Sequence, residues 1–136
     1  MRVVIDNAIP YIQGILEPYC DVIYLPAKEI TADIIHNADA LVIRTRTKCD
    51  RCLLDNSTIK FIATATIGTD HIDLEYCTEH NIKVCSAPGC NARGVLQWVA
   101  AALHHITTID KRTPADYTLG IVGVGNVGSL VAEYAR

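Results

Sequence analysis

The stretch ALVIRTRTKCDRCLLDNSTIKFIATATIGTD, residues 40–70, is the clearest indication of the fold class of this chain. It opens with a short apolar run, ALVIRT, and closes with another, KFIATAT, and the segment RCLLDN between them has the pattern of a helical turn. Near-continuous apolar runs are typical of strands buried on both faces, and such strands are parallel where helices connect them. The stretch therefore predicts a β–α–β unit of a parallel sheet.

The alternation continues toward the N-terminus. RVVID and DVIYL have the composition of strands, and TADIIHNAD predicts a short helix capped by Thr31. Between the two strands, YIQGILEPY places Ile12, Ile15 and Leu16 at helical spacing and predicts a helix that ends at Pro18.

The alternation also continues toward the C-terminus, where DLEYCTEHN predicts a helix from Asp73 to Asn81 and KVCSA a fifth strand. A long helix follows over residues 91–110, with Asn91 as N-cap and with one apolar stripe. That stripe comprises Val95, Val99, Leu103 and Ile106. After the polar break KRTPADY, TLGIVGVG predicts a new strand and NVGSLVAEYAR a new helix.

We therefore predict an α/β fold: a flavodoxin-like, doubly wound parallel sheet, followed by the first βα unit of a Rossmann nucleotide-binding domain. The predicted parts are a domain over residues 1–90, a connecting helix over 91–112 and the start of a second domain over 113–136.

The Gly-rich turn of that second unit has the spacing G-x-G-x-x-G at Gly123, Gly125 and Gly128. A buried-type strand precedes it and a helix follows, which is the context in which this spacing indicates dinucleotide binding. Amides at the start of the helix would hold the pyrophosphate. The alternative is an ordinary βα turn that is rich in glycine, and NAD cannot be told from NADP within these residues.

Two strand ends carry polar side chains, where open parallel sheets bind ligands. In IRTRT, strand alternation predicts Arg44 and Arg46 on one side and Thr45 and Thr47 on the other, a set that suits a small carboxylate or phosphate. The alternative is a polar strand end that faces water.

The other strand end is ATATIGTDHID, where Gly68 permits close approach to a ligand and Thr66 and Thr69 supply hydroxyl groups. His71 is either an acid/base group or, more commonly for such a turn, a structural one.

Bulk composition excludes several classes of protein. The net charge is −3, no Lys/Arg block occurs and aromatic residues make up 6%, which argues against a nucleic-acid partner. The apolar run at the N-terminus is cut by Asp6, and no segment approaches the roughly 18 apolar residues of a membrane span, so we expect a cytoplasmic protein without a membrane partner.

The chain has six cysteines, at positions 20, 49, 52, 77, 85 and 90. A single C-x-x-C, CDRC, is too weak a signal to predict a metal site, because zinc needs two further ligands and no second pair of this kind occurs.

Together these motifs resemble the D-2-hydroxyacid dehydrogenases, in which a small parallel α/β domain, a long connecting helix and a strand with G-x-G-x-x-G follow one another. The resemblance covers residues 1–136 and rests on ATIGTDHID, SAPGCNA, GIVGVGNVGS, ALVIRT and LPA. More distant members tend to carry Asn where this chain has His71. The motifs are most similar to members that oxidise 4-phospho-D-erythronate to 2-oxo-3-hydroxy-4-phosphobutanoate with NAD, in vitamin B6 biosynthesis.

The resemblance implies a function for each part. Residues 1–90 become the substrate-binding (catalytic) domain and 113–136 the truncated start of the NAD-binding domain. It assigns substrate contacts to Arg44, Thr45 and Thr66, and cofactor contacts to Gly123, Gly125, Asn126, Val127 and Gly128.

The family's base His, its paired acid and its carboxylate-holding Arg lie downstream of position 136. We therefore expect no catalytic residue and no turnover in this piece alone, which would form the first third of a protein that is a homodimer at full length.

Three positions depart from the family pattern: Thr45 replaces a common Ser, Arg46 an apolar residue, and Gln97 an expected Glu. Two alternatives stay open. One is another D-2-hydroxyacid dehydrogenase that acts on a phosphoglycerate-like or glycerate-like acid, and the other is a non-catalytic module that binds a small anion.

Overall fold

The structure is a computed structural model that describes residues 1–136. The strands are β1 (Arg2–Asp6), β2 (Asp21–Leu25), β3 (Ala40–Ile43), β4 (Phe61–Thr64) and β5 (Lys83–Cys85). The helices are α1 (Ala32–Ile35), α2 (Arg51–Leu54), α3 (Leu74–Glu79), α4 (Ala92–Asp110) and α5 (Asn126–Tyr134), with short 3-10 turns at Ala27–Glu29 and Pro114–Asp116. Contacts divide the chain into two compact units, Met1–Ala87 and Pro88–Arg136.

The first unit contains one five-stranded sheet in the order β2-β1-β3-β4-β5, with every pair of strands parallel. This is the flavodoxin-like order, so the predicted α/β fold class is confirmed. The order reverses between β1 and β3, where Ile5 lies opposite Val42. Crevices at such a reversal point, beyond the carboxyl ends of the strands, are where open α/β sheets bind ligands.

Alternation along the strands builds a separate core on each face of the sheet. Val4, Leu41 and Ile62 face the first core, which α1, α2 and α3 cover with apolar side chains such as Ile35, Leu54 and Tyr76. The opposite face carries the second core, built from Val3, Ile5, Ile9 and Ala40, with Ile12, Leu16 and Tyr24 packed against them.

The predicted helix over YIQGILEPY is wrong, because the segment after Ile9 is a succession of turns. Tyr11 and Gly14 have φ values of 60° and 84°, in the left-handed region that an α-helix cannot contain. The carboxylate of Glu17 accepts hydrogen bonds from the Gly14 amide (2.9 Å) and the Tyr24 hydroxyl (2.7 Å). Ile12 and Leu16 still pack against the sheet, whereas Ile15 is 54% exposed, so the spacing predicted burial in part and backbone conformation incorrectly.

The predicted N-cap residues stand at the starts of their helices, but only one of the three makes the capping hydrogen bond with its side chain. Asp73 caps α3 through its side chain, which accepts a hydrogen bond from the Tyr76 amide (2.9 Å). Thr31 and Asn91 occupy the N-cap positions of α1 and α4, but neither makes a side-chain cap hydrogen bond.

The second unit contains α4, α5 and the segment between them. Three members of the predicted α4 stripe, Val95, Val99 and Leu103, are half-buried, whereas Ile106 is 47% exposed. The predicted strand in TLGIVGVG is wrong: residues 118–125 form no strand. A strand needs a hydrogen-bonded neighbour, and this unit contains no second strand to supply one.

None of the helices combines the length and the apolar character that crossing a membrane requires. The division predicted at positions 90 and 112 stays a prediction.

Candidate functional site

A cleft of about 260 Å³ lies at the carboxyl ends of β1, β2 and β3, beside the reversal point of the sheet. The three loops that follow these strands line it with Asp6, Asn7, Ala8, Pro26, Ala27, Arg44, Thr45 and Arg46. We call it the arginine cleft. The predicted substrate residues Arg44 and Thr45 thus lie in one crevice, together with Arg46.

The predicted alternation across IRTRT is wrong, because β3 ends at Ile43 and a turn follows. The Thr47 amide donates to the Arg44 carbonyl (3.1 Å) and closes that turn. Consequently Arg44, Thr45 and Arg46 are all exposed and line the cleft, while Thr47 is only 3% exposed.

The charges in the arginine cleft favour an anionic ligand. Neither Arg44 nor Arg46 forms an ion pair with a carboxylate, whereas the neighbouring Lys48 pairs with Asp50 (3.1 Å). Arg44 Nη1 donates to the Ala8 carbonyl at 3.0 Å, which orients its guanidinium group toward the end of β1. The remaining N–H groups of two guanidinium groups suit the oxygen pairs of a carboxylate or phosphate.

Asp6, which the sequence reasoning did not single out, shapes the floor of this cleft. It ends β1, is 1% exposed, and its Oδ1 accepts a hydrogen bond from the Ala8 amide (2.9 Å). A carboxylate that binds its own backbone two residues on is a turn-forming device, and here it bends the chain toward Arg44. The available signal was a lone charged residue at the end of an apolar strand.

A second cleft, of about 430 Å³, shares Thr45 with the first. Its other lining residues are Lys48, Gly68, Asp70 and His71, and we call it the histidine cleft. Backbone hydrogen bonds hold its two sides together, since the Cys49 amide donates to the His71 carbonyl and the Asp73 amide to the Cys49 carbonyl (both 2.8 Å).

The third predicted substrate residue, Thr66, lies just beyond β4 in a chain of hydrogen bonds. Its Oγ1 is 2.6 Å from Thr64 Oγ1 and 3.2 Å from the Gly68 carbonyl oxygen. Thr64 Oγ1 is in turn 3.0 Å from His71 Nε2. Thr66 is not among the lining residues of the two clefts, but its hydroxyl reaches Gly68 at the wall of the histidine cleft.

His71 is half-buried, and its environment favours the neutral imidazole. Burial lowers the pKa of His71, and the negative charge of Asp70 opposes that effect only in part. The ring nitrogen Nε2 faces the buried Thr64 hydroxyl. A neutral imidazole in a hydrogen-bonded chain fits a structural or orienting role, and an acid/base role for His71 stays untested.

The Gly-rich turn, in the second unit, is followed by the predicted helix but is not preceded by the predicted strand. Gly123 has a φ of 88°, and Gly125 is the N-cap of α5. A Cβ atom at Gly128 would collide with the Gly123 carbonyl oxygen, so only glycine fits there. Because Gly125 has no side chain to cap the helix, the first-turn amides of Asn126, Val127 and Gly128 are available to a phosphate oxygen.

The two cysteines of CDRC lie in different environments. Cys49 is fully buried, and burial raises the pKa of its thiol to about 12, whereas Cys52 is exposed on α2. No group of three or more His, Cys, Asp or Glu side chains is placed to hold a metal ion.

Comparison with known proteins gives a consistent result. Residues 3–118 match the family described as D-isomer specific 2-hydroxyacid dehydrogenase, catalytic domain. An erythronate-4-phosphate dehydrogenase of Bacteroides fragilis is 53% identical over 137 residues, which cover 100% of this chain and 39% of the relative. One from Bacteroides thetaiotaomicron is 49% identical with the same coverage.

A solved structure shares the fold. The D-lactate dehydrogenase of Aquifex aeolicus, complexed with NAD and lactic acid, matches with a TM-score of 0.72 at 21% identity, over 99% of this chain and 48% of that chain. The present chain spans about 39% of the length of these two dehydrogenases from Bacteroides.

Proposed function

The chain belongs to the D-isomer specific 2-hydroxyacid dehydrogenase family, and on that premise we propose that it is the N-terminal part of an NAD-dependent erythronate-4-phosphate dehydrogenase. The whole protein would oxidise the C2 hydroxyl of 4-phospho-D-erythronate in the synthesis of vitamin B6. Relatives of that name at 49% and 53% identity support the substrate assignment.

The arginine cleft is the observation that carries the proposal. 4-Phosphoerythronate has an anionic group at each end, a carboxylate and a phosphate. Arg44 and Arg46 point two guanidinium groups, free of carboxylate partners, into a crevice at the reversal point of the sheet. Thr45 adds a hydroxyl where this cleft meets the histidine cleft, and Thr66 adds another beyond β4.

The residues of the Gly-rich turn fit the pyrophosphate of NAD. The left-handed Gly123, the absent Cβ of Gly128 and the uncapped amides at the start of α5 together form an anion cradle. When bound, NAD supplies the acceptor for the hydride that leaves C2. Within this chain, Gly123, Gly125, Asn126, Val127 and Gly128 would hold the cofactor.

The proton of the C2 hydroxyl must pass to a base. The resemblance to the family locates that base, its paired acid and a carboxylate-binding Arg beyond position 136, so we propose that residues 1–136 bind and orient substrate and leave proton removal to the rest of the protein. We further propose that the full-length protein is cytoplasmic and forms a homodimer. Light scattering on the full-length protein tests the dimer.

The test of the proposed function is an NADH-absorbance assay on the full-length protein with 4-phosphoerythronate, 3-phosphoglycerate and glycerate. We expect NAD reduction with 4-phosphoerythronate at the highest kcat/KM, and a higher KM for that acid in an Arg44→Gln variant. Arg51→Gln is the matched control, because it removes the same charge from α2, outside both clefts.

Each other outcome identifies an alternative. A higher kcat/KM with 3-phosphoglycerate or glycerate would mean that the protein is another D-2-hydroxyacid dehydrogenase, with that acid as its substrate. Binding of these anions without any NAD reduction would indicate the non-catalytic anion-binding module.

A further inference from the structure

The number of available protons determines which group donates in each hydrogen bond of the chain from His71 through Thr64 to Thr66. Three contacts are present: His71 Nε2 to Thr64 Oγ1, Thr64 Oγ1 to Thr66 Oγ1, and Thr66 Oγ1 to the Gly68 carbonyl oxygen. The carbonyl oxygen can only accept, so Thr66 must donate to it. Each hydroxyl has one proton, so Thr64 must donate to Thr66, and His71 Nε2–H must donate to Thr64.

The opposite direction leaves one contact without a proton. If Thr64 donated to an unprotonated Nε2, Thr66 would have to donate to Thr64, and nothing would remain for the Gly68 carbonyl. All three contacts are therefore hydrogen bonds only when His71 carries its proton on Nε2. Protonation of the ring adds a proton at Nδ1 and leaves Nε2–H in place, so the direction is the same for the neutral and charged imidazole.

We propose that His71 and Thr64 are positioning residues that hold the Thr66 hydroxyl as a hydrogen-bond donor toward an anionic oxygen of the substrate. The proposal rests on the proposed function, in which Thr66 contacts the phosphorylated hydroxy acid. Neither His71 nor Thr64 needs to touch that acid, because both act through Thr66.

Burial protects the hydrogen bonds of Thr64 from competition by water. Thr64 is 3% exposed, so water cannot readily replace either of its partners. The Thr64–Thr66 contact, at 2.6 Å, is the shortest of the three, and the Thr66–Gly68 contact, at 3.2 Å, is the longest. The longest contact thus lies at the Thr66 end of the chain, beside Gly68 in the wall of the histidine cleft, and an anionic oxygen there would be a stronger acceptor than the Gly68 carbonyl.

The direction of the chain also selects the ligand chemistry. Because Thr66 accepts from Thr64, its own proton is free to leave the Gly68 carbonyl and to be donated to a carboxylate or phosphate oxygen instead. The selection comes from groups behind the cleft wall and adds to the positive charge of Arg44 and Arg46.

The first test reads the tautomer directly and does not depend on activity. Nitrogen-15 NMR of the imidazole ring distinguishes Nε2–H from Nδ1–H. We expect His71 of the wild-type protein to be the Nε2–H tautomer, and we expect Thr64→Val to weaken that preference. A wild-type protein with the proton on Nδ1 would overturn the proposal.

The second test is a double-mutant cycle in the full-length enzyme with 4-phosphoerythronate. Loss of one hydrogen bond to a charged group corresponds to roughly a tenfold change in affinity. We expect Thr64→Val to raise the KM for the acid about tenfold, with the KM for NAD unchanged, and Thr64→Ser to restore it. Because Thr64 acts through Thr66, the double variant should be no worse than Thr66→Val alone.

Thr58→Val is the matched control, since Thr58 makes its hydrogen bonds with the His36 and Ala38 carbonyls, before β4 and away from the clefts. It should lower stability without a change in KM. Two results would overturn the positioning role. One is a double variant whose rise in KM for the acid is the product of the two single rises, and the other is a normal KM in a folded Thr64→Val variant. If the wild type prefers 3-phosphoglycerate, the proposed substrate fails, and the cycle is read with that acid instead.

Discussion

At the scale of single residues, the main surprise is that three consecutive side chains face the same crevice. A strand would have divided Arg44, Thr45 and Arg46 between two faces, but the turn closed by Thr47 exposes all three. Thr45, which strand alternation would place on the other face, thereby joins Arg44 and Arg46 in the arginine cleft, and Arg46, which departs from the family pattern, is part of the candidate site.

Replacing Arg46 should weaken substrate binding without an effect on the cofactor. Charge-assisted hydrogen bonds are worth about 1.5–3 kcal/mol, and because Arg46 is solvent-exposed we expect the lower end, about a tenfold rise in KM for the acid in Arg46→Leu. Initial-rate kinetics of the full-length enzyme measure this, with the KM for NAD as internal control. An unchanged KM for the acid would remove Arg46 from the site.

The lowered pKa of His71 predicts a pH dependence of stability. The folded state favours the neutral ring, so at pH values between the folded-state pKa and the ordinary value of 6.5 the unfolded chain binds more protons. The free energy of unfolding therefore rises with pH through this window and falls as the pH drops below about 6.5.

Urea denaturation between about pH 7.5 and about pH 5 tests this dependence. The wild type should lose stability more steeply on acidification than His71→Asn, which lacks the titrating ring. Equal slopes for the two proteins would mean that His71 has the same pKa in the folded and unfolded states.

At the scale of elements, the turns determine the backbone conformation of two segments more than their helix or strand propensity does. The segment after Ile9 has apolar spacing typical of a helix, yet its backbone passes through the left-handed region at Tyr11 and Gly14, and Glu17 stabilises the resulting loops. In the Gly-rich turn, the three glycines have different roles, since φ requires glycine at Gly123 and space requires it at Gly128.

Gly125 and Gly128 form a matched pair for an alanine test. A Cβ at Gly128 collides with the Gly123 carbonyl, so Gly128→Ala should destabilise the protein by about 1–3 kcal/mol. A Cβ at Gly125 has nothing within 4 Å, and its φ of −91° accepts alanine, so Gly125→Ala should fold normally.

Cofactor binding separates the two variants further. In the full-length enzyme, Gly125→Ala should lower the affinity for NAD about tenfold or more, because the added methyl group occupies the space needed by the pyrophosphate. Calorimetry measures both stability and affinity. Normal NAD affinity in Gly125→Ala would indicate an ordinary βα turn.

At the scale of the whole molecule, the two units differ in how completely they bury apolar surface. The first unit has a core on each face of its sheet, and Val4, Leu41 and Ile62 are fully buried at its centre. In the second unit, Ala92 and Val131 are the buried residues, and Val122 and Val124 are highly exposed.

Hydrogen exchange of the 136-residue chain should show this contrast. We expect amides of β1, β3 and β4 to exchange slowest, with protection on the order of a thousandfold or more. Amides of residues 118–124, which donate to no backbone carbonyl, should exchange almost as fast as in an unfolded chain. Comparable protection in the two regions would contradict this picture.

Local patterns in the sequence were enough to predict the fold class, the five strands of the sheet, and the glycines before α5. These features depend on local patterns: apolar runs of β-branched residues, caps such as Asp73, and glycines at fixed spacing. The resemblance to the family also pointed to Arg44 and Thr45, which the structure brings together in one cleft.

The other features depend on contacts between residues that are distant in sequence, and they become visible only in the folded chain. The turn at Glu17 needs Tyr24 on the next strand, the orientation of Arg44 needs the Ala8 carbonyl 36 positions away, and the strand predicted in TLGIVGVG needs a neighbour that its unit does not contain. The direction of the Thr66 hydrogen bond likewise follows from packing that sets His71 against Thr64. Local patterns define which groups are available, and packing between distant segments defines which of them meet.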